Sequence, residues 1–288
     1  MMFQGCSLAT EFKEIQIYGL FEMRLLQRKN QGAWIKSLGL FDIFCGDGQN
    51  QLEGKLISGS PIEILRAIKT TEIYKYIKTA FFPSDIRLGA IKGLSTLMGD
   101  IHQIDVRLQV RNAETQIGLI EKYLSKSRMN HAIILIDPNG PKIMPIEKIK
   151  RLGKFHKQVD LIINISETAI NRLKACSVTK DKNWWANYDN FAEILWDIKK
   201  QYRWGFLRDT LPSDPQRWRI FTAWSSMRPR NGWEKQGFYK IESKQDIINI
   251  LNGEFNGSYN TSAFPLFPRD DAGRIQSLEA GHRGSRCS

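Results

Sequence analysis

Apolar residues along this chain fall into two alternating patterns. Residues 132–136 (Ala-Ile-Ile-Leu-Ile) and 159–165 are almost continuously apolar over the length of one strand, as expected of strands buried on both faces of a parallel sheet. Residues 38–45, 79–82 and 104–110 read as further strands. Between and around these runs, apolar groups recur at helical spacing over residues 12–26, 86–97, 113–125, 145–155 and 167–175. Another helix opens at Ser60-Pro61, with Ser60 as N-cap, Pro61 in the first position, Glu63 in the first turn, and Ile62, Ile64, Leu65 and Ile68 as its apolar face. Ser84 or Asp85 is placed to cap the helix that follows them, and residues 49–58, polar and glycine-containing, read as a loop. The alternation predicts an α/β, Rossmann-like fold: a mainly parallel, seven-stranded sheet with helices on both faces and right-handed crossovers.

The rhythm breaks at residues 180–215, where an amphipathic helix over 191–202 lies between aromatic-rich stretches. Two last strands, 217–224 and 237–241, and a short helix over 245–251 follow. One α/β domain over residues 1–252 is expected, with 178–216 as an aromatic-rich insertion and candidate target-recognition element. Residues 253–288, polar and rich in Gly, Ser and Asn, read as a flexible tail.

Composition narrows the classes. The 288 residues are 42% hydrophobic and 11% aromatic, enough for a full core. Cys6, Cys45, Cys176 and Cys287 lie far apart, with no paired metal-ligand spacing, and the four histidines are scattered. This fits free thiols in a reducing, cytoplasmic setting, with no metal site expected. No apolar run approaches the roughly 20 residues that cross a bilayer, and the first ten residues lack a secretory pattern. The net charge of +12 attracts polyanions, of which nucleic acid is the commonest.

Two acidic strand ends carry the candidate chemistry. In Asp42-Ile43-Phe44-Cys45-Gly46-Asp47-Gly48 an acid closes the first strand, and two glycines follow in a turn. Such a turn lets a ligand lie against the backbone at the carboxyl edge of the sheet. In Asp137-Pro138-Asn139-Gly140 a second acid follows a buried strand, where a carboxylate needs a partner. The Asp137 side chain and the Pro138 carbonyl are acceptors that can hold an exocyclic amine with its lone pair aimed at a methyl donor. Either acid is also compatible with a plain turn that binds nothing. Cys45 reads as a packing residue, and Lys148, Lys150, Arg151, Lys154 and Lys157 form a basic helix face, either solvated or in contact with phosphate.

The ordered set DIFCGDGQN, SGSPIEIL, RNAETQ and LIDPNGP, with the later Trp233 to Phe238 region, resembles the three-Cys-motif partner proteins. These are class I methyltransferase-like bacterial proteins of mobile or phage-related contexts. The resemblance spans roughly residues 12–252. It implies a class I methyltransferase fold and S-adenosylmethionine as cofactor. Asp42, Gly46 and Gly48 match the cofactor loop, Ser60 and Pro61 the helix start facing it, Asn112 and Ala113 the adenine-side turn, and Asp137 and Pro138 the catalytic turn. Asp85 is the nearest substitute for the ribose-binding acid. Asp47 stands where proline is usual and Arg111 where aspartate is frequent.

The Asp137 turn also resembles that of amino-group DNA methyltransferases, whose last aromatic stacks on the extruded base. Here Gly140 holds that place. Seven of the eight tryptophans lie after residue 180, so Trp184, Trp185, Tyr188, Trp204 and Trp233, with Arg228 and Arg230, are candidate nucleic-acid contacts. Three readings remain: methylation of nucleic acid at a base amine, DNA favoured over RNA; a nucleic-acid or protein-binding module on a methyltransferase-like scaffold; or methylation of a partner protein or small molecule. No membrane association is expected.

Overall fold

The structure, a computed structural model, describes residues 8–30, 34–52, 54–99, 103–138, 143–166, 168, 188–209, 218–229 and 237–252. Helix α1 (Leu8–Lys29) precedes strand β1 (Ser37–Asp42), and a small antiparallel hairpin of β2 (Gln49–Leu52) and β3 (Lys55–Ser58) follows. The chain continues through α2 (Ser60–Thr71), β4 (Lys78–Asp85), α3 (Leu88–Met98), β5 (Asp105–Val106), β6 (Gln109–Val110), α4 (Ala113–Ser125) and β7 (Asn130–Ile136). Next come α5 (Ile146–Arg151), β8 (Val159–Ser166), α6 (Tyr188–Lys199), β9 (Trp204–Asp209), β10 (Trp218–Trp224), β11 (Phe238–Lys240) and α7 (Lys244–Asn252).

The main sheet runs β11-β9-β10-β8-β7-β1-β4-β5, with β6 also paired to β4. Strands β8, β7, β1, β4, β5 and β6 pair in parallel, whereas β10 runs antiparallel to both β8 and β9, and β11 antiparallel to β9. Taken in chain order, β5/β6-β4-β1-β7-β8 is the 3-2-1-4-5 arrangement of a doubly wound sheet, whose topological switch falls between β1 and β7. This is the expected mainly parallel α/β fold, with nine strands in the sheet rather than seven.

Side-chain alternation builds two core layers. Leu38, Leu40, Ile133 and Leu135 face α1 and α2, meeting Ile17, Leu20, Phe21, Ile64 and Ile68. Phe41, Ile134, Ile136, Leu161 and Ile163 face the opposite layer, with Ile117 and Ile120 of α4, Ile149 of α5, and Phe191 and Leu195 of α6.

Several elements differ from the sequence expectation. Residues 49–58 form a hairpin rather than a loop; Leu52, Leu56 and Ile57 are the apolar residues of its strands, too few and wrongly spaced to give an alternating strand signature. Strand β4 runs through Pro83 to Asp85 instead of stopping at Phe82. Pro83 is tolerated because the ladder continues at Ser84 and Asp85, which pair with β6. Ser60 does not cap α2: Gly59 is the N-cap, without a side-chain bond. Nor does Ser84 or Asp85 cap α3, which starts from Arg87. The helix expected at 145–155 is α-helical to Arg151 and continues as a 3₁₀ turn, Leu152–Phe155. Within the stretch read as breaking the rhythm, residues 188–209 supply α6, packed into the core, and β9, an internal strand of the main sheet. The remainder of that stretch, apart from residues up to 209, lies outside the described residues, as do the helix expected at 167–175 (Thr168 excepted) and the tail, 253–288.

Candidate active site

The strand register places two acids symmetrically about the glycine turn. Asp42 is level with Pro83 on β4 and with Leu135 on β7. Asp85 and Asp137 are each two residues further on, at the same height on either side of β1, two strand spacings or roughly 10 Å apart. Between them the turn crosses with Gly46 at φ 61° and Gly48 at φ 82°. A β-carbon on Gly48 would lie 2.7 Å from Leu94 Cδ1, and both glycines occupy backbone that L side chains disfavour. A cavity of about 810 Å³ opens here, lined among others by Gly46, Gly48, Ser60, Asp85, Asn112 and Asp137.

At the β4 side, the Gly46 amide donates to Asp85 Oδ2 at 3.2 Å. Arg87 closes on the same carboxylate, its backbone amide and Nε donating to Oδ1 at 2.8 and 3.0 Å and its Nη2 to Oδ2 at 3.2 Å. The Arg87 side chain is mostly exposed, so opening that fork costs little. Ile86 and Ile143 are exposed apolar residues in the cavity wall. Asn112 caps α4, its Oδ1 accepting from the Thr115 amide at 2.8 Å. Asp47 is exposed and turned onto the Gln49 amide at 3.3 Å.

At the β7 side lies a buried charged cluster that the sequence reading did not find. Asp137 shares the parity of Leu135, and therefore faces α1. There Lys13, one turn before Ile17 on the buried stripe, donates to Asp137 Oδ2 at 2.8 Å. Asn164, next across on β8, donates to Asp137 Oδ1 at 2.6 Å. Lys13 also pairs with Glu14 Oε1 at 3.1 Å and stands 4.9 Å from the centre of the Trp218 ring. Burial works against the Lys13 ammonium, but Asp137 and Glu14 outweigh it and raise its pKa. Asp42, fully buried, accepts from Ser60 Oγ at 2.7 Å. Burial, with Asp137 and Glu14 nearby, pushes Asp42 up to about 8 despite that bond. Glu14 is pushed up to about 7, chiefly by burial. A sequence signal for Lys13 and Glu14 existed: both fall four residues before Ile17 and Tyr18, on the face that continues through Phe21.

Cys45 is buried, its pKa raised by burial and by Asp42 and Asp85, and its backbone amide bonds Ser84 O at 3.0 Å. It is held as a packing residue. Among the described residues, no group of three or more His, Cys, Asp or Glu could hold a metal ion, and no helix is long and apolar enough to cross a membrane.

Asp42, Gly46, Gly48, Ser60, Asp85, Asn112 and Asp137 thus converge on one edge, with buried Pro138 beside them. The nucleic-acid candidates do not. Trp184, Trp185, Trp233 and Arg230 lie outside the described residues. Trp204 pairs with Trp224, which is level with Asp160 at the start of β8, on the opposite edge of the sheet. Exposed Arg228 follows from that same edge. Trp218, level with Ser166 at the carboxyl end of β8, is the described tryptophan beside the cluster.

A cavity over the carboxyl edge of a 3-2-1-4-5 sheet, at its switch point, together with the flanking helices, defines a doubly wound, Rossmann-like α/β protein. No family model matches the chain, and no curated protein matches it. Among solved structures, protein LPL1258 from Legionella pneumophila str. Philadelphia 1, of family model DUF519, aligns over 88% of this chain and 93% of its own, with 10% identity and a TM-score of 0.50. That is a likeness of fold alone. The bifunctional kinase-methyltransferase WbdD aligns over 80% of this chain and 42% of its own, with 10% identity and a TM-score of 0.47. An rRNA methylase from Streptococcus thermophilus aligns over 68% of this chain and 95% of its own, with 10% identity and a TM-score of 0.37.

Proposed function

We propose that this protein is an S-adenosylmethionine-dependent methyltransferase acting on an exocyclic amine of a nucleic-acid base. The observation that carries the reading is the placement of Asp85 and Asp137 at one height on either side of the Gly46–Gly48 turn, around a single cavity. The residues present fit the cofactor. Asp85 offers a carboxylate for ribose hydroxyls once Arg87 swings aside, Ile86 and the Asn112 turn flank the place for adenine, and the two glycines leave room against the backbone. S-Adenosylmethionine, when bound, supplies an activated methyl group. The rest is positioning. Asp137 and the Pro138 carbonyl hold the amine, while Lys13 and Asn164 fix the Asp137 carboxylate without using all its lone pairs. Orientation of the attacking nitrogen does most of the work. Trp218, whose ring lies 4.9 Å from the Lys13 ammonium at the edge of the cluster, is the nearest described tryptophan for stacking on a base. The net charge of +12 favours a polyanionic substrate.

Calorimetry with S-adenosylmethionine and its demethylated product tests this reading. Binding is expected, and Asp137→Asn should lower methyl transfer by roughly a hundredfold or more while product affinity stays nearly constant. Absence of binding at millimolar concentration would remove the enzyme reading. A binding module with altered catalysis is the second reading. It is favoured by the closed state of both acids, Asp85 under Arg87 and Asp137 under Lys13 and Asn164. Tight nucleic-acid binding with no cofactor affinity would select it. The resemblance to three-Cys-motif partner proteins is compatible with either.

A further inference from the structure

The geometry points to Glu14, on the first helix and outside the sheet's own motifs, as the residue that receives the α-ammonium group of the methyl donor. This rests on the methyltransferase reading above and names a contact within that site.

Hydrogen-bond supply and demand at the β7 end of the cavity do not balance. Glu14 is a wall residue of the cavity and is only 4% exposed. Its Oε1 is shared between Lys13 at 3.1 Å and Asn50 Nδ2 of the hairpin at 3.4 Å. Its Oε2 has no hydrogen-bond partner among the described residues, and neither do Asp42 Oδ1 and Asn164 Oδ1 close by. Lys13, the cation of the cluster, is already committed to Asp137 and Glu14. Acceptors exceed donors once Glu14 and Asp42 are charged, and buried acceptors without donors are costly, so without a ligand these carboxyls hold protons instead. A ligand that completes this end must bring N–H groups, and preferably positive charge.

The sites along the turn give the ligand's direction. Gly46 is tied to Asp85, and Asn50, two residues past Gly48, is tied to Glu14. A molecule lying along the turn with a diol at Asp85 therefore presents its other end to Glu14. An amino acid joined to a nucleoside has an ammonium there.

The charges facing Glu14 agree. Lys13 lies on its own helix, Asp137 and Asp42 at the ends of β7 and β1, and Glu63 on α2. Burial first, and then the Asp137 and Glu63 charges against the opposing Lys13 ammonium, push Glu14 up to about 7. An arriving ammonium draws the carboxyl back to its charged form and releases a proton to solvent.

The test compares S-adenosylhomocysteine, which carries the ammonium, with 5′-methylthioadenosine, which has the same nucleoside and sulfur but no amino-acid end. Glu14→Gln is expected to weaken S-adenosylhomocysteine by about tenfold or more and to leave 5′-methylthioadenosine unchanged. In the unsubstituted protein, calorimetry at pH 7 in buffers of different ionisation enthalpy should show proton release with the first ligand and none with the second. Equal weakening of both ligands, or of neither, overturns the assignment, as does the absence of proton release. Failure of the unsubstituted protein to bind either ligand would instead overturn the methyltransferase reading on which it rests.

Discussion

Asp42 shows how much one buried carboxyl shapes this site. It is fully buried, bonded through one oxygen to Ser60, and raised from 3.8 to about 8, first by burial. Between those values the folded protein keeps a proton that the unfolded chain has released. Stability therefore falls as pH rises through this window and is fully retained below it. Glu14, raised from 4.5 to about 7, acts in the same sense. Asp42→Asn imitates the protonated acid and keeps an acceptor for Ser60. Its melting temperature should decline less between pH 5 and 8 than that of the unsubstituted protein, measured by calorimetry across that range. Identical slopes would mean that Asp42 does not hold the proton. The same residue marks a limit of sequence reading. Asp42, Gly46 and Gly48 were legible from strand and turn grammar, but the bond that removes Ser60 from its helix-capping role is a contact across eighteen residues that no local pattern encodes.

At the scale of elements, α1 is where structure adds most to sequence. Its apolar residues predicted a helix packed on the sheet, and it is one. Its charged residues were assigned no role from the sequence. Lys13 and Glu14 instead enter the site from its first half, and Arg28 anchors its last turn. Arg28 is fully buried, donating to Asp160 Oδ1 at 2.9 Å and lying 3.0 Å from His131 Nδ1. Burial first, and then the Arg28 charge, hold His131 down at about 4. Arg28→Met leaves the Asp160 carboxylate buried without its cation, and should destabilise the fold by about 3–5 kcal/mol, read as a lowered urea midpoint. Adding Asp160→Asn should recover part of that loss. Helix α4 was fully legible, beginning at Ala113 and ending at Ser125, because the Asn112 cap and the apolar spacing agree. Strand β9 was not, because Gly205 on one side and Arg208 and Asp209 on the other leave Phe206 and Leu207 as its apolar run, although both are buried.

For the whole molecule, the sheet was readable from alternation alone, whereas its antiparallel end was only partly so: β10 and β11 follow from apolar runs, but their pairing with β9 is a tertiary outcome. The charge of +12 belongs to this scale too. On the basic helix face, Lys150 is tied to Asp197 at 3.2 Å and Arg151 to Glu121 at 2.9 Å, so the full face is not available to phosphates. If nucleic acid is the substrate, its affinity should fall about a thousandfold or more between 50 and 200 mM salt, as for a protein making six or more phosphate contacts. Filter-binding titrations across that range would measure it. An affinity flat in salt would mean that the positive charge serves solubility.

The hairpin between the glycine turn and α2 is pinched at its neck, where the Gly59 amide donates to Gly48 O at 2.8 Å. Ten residues, 49–58, thus leave and return through one hydrogen-bonded gate, and the backbone on both sides keeps its path whatever lies between. Lengthening such an excursion adds only about 0.6 kcal/mol of closure entropy per doubling. The outer part of the hairpin, around exposed Leu56, is therefore a place where recognition loops can be lengthened or an affinity handle inserted, while Gln49, Asn50 and Gln51 keep their places in the cavity wall.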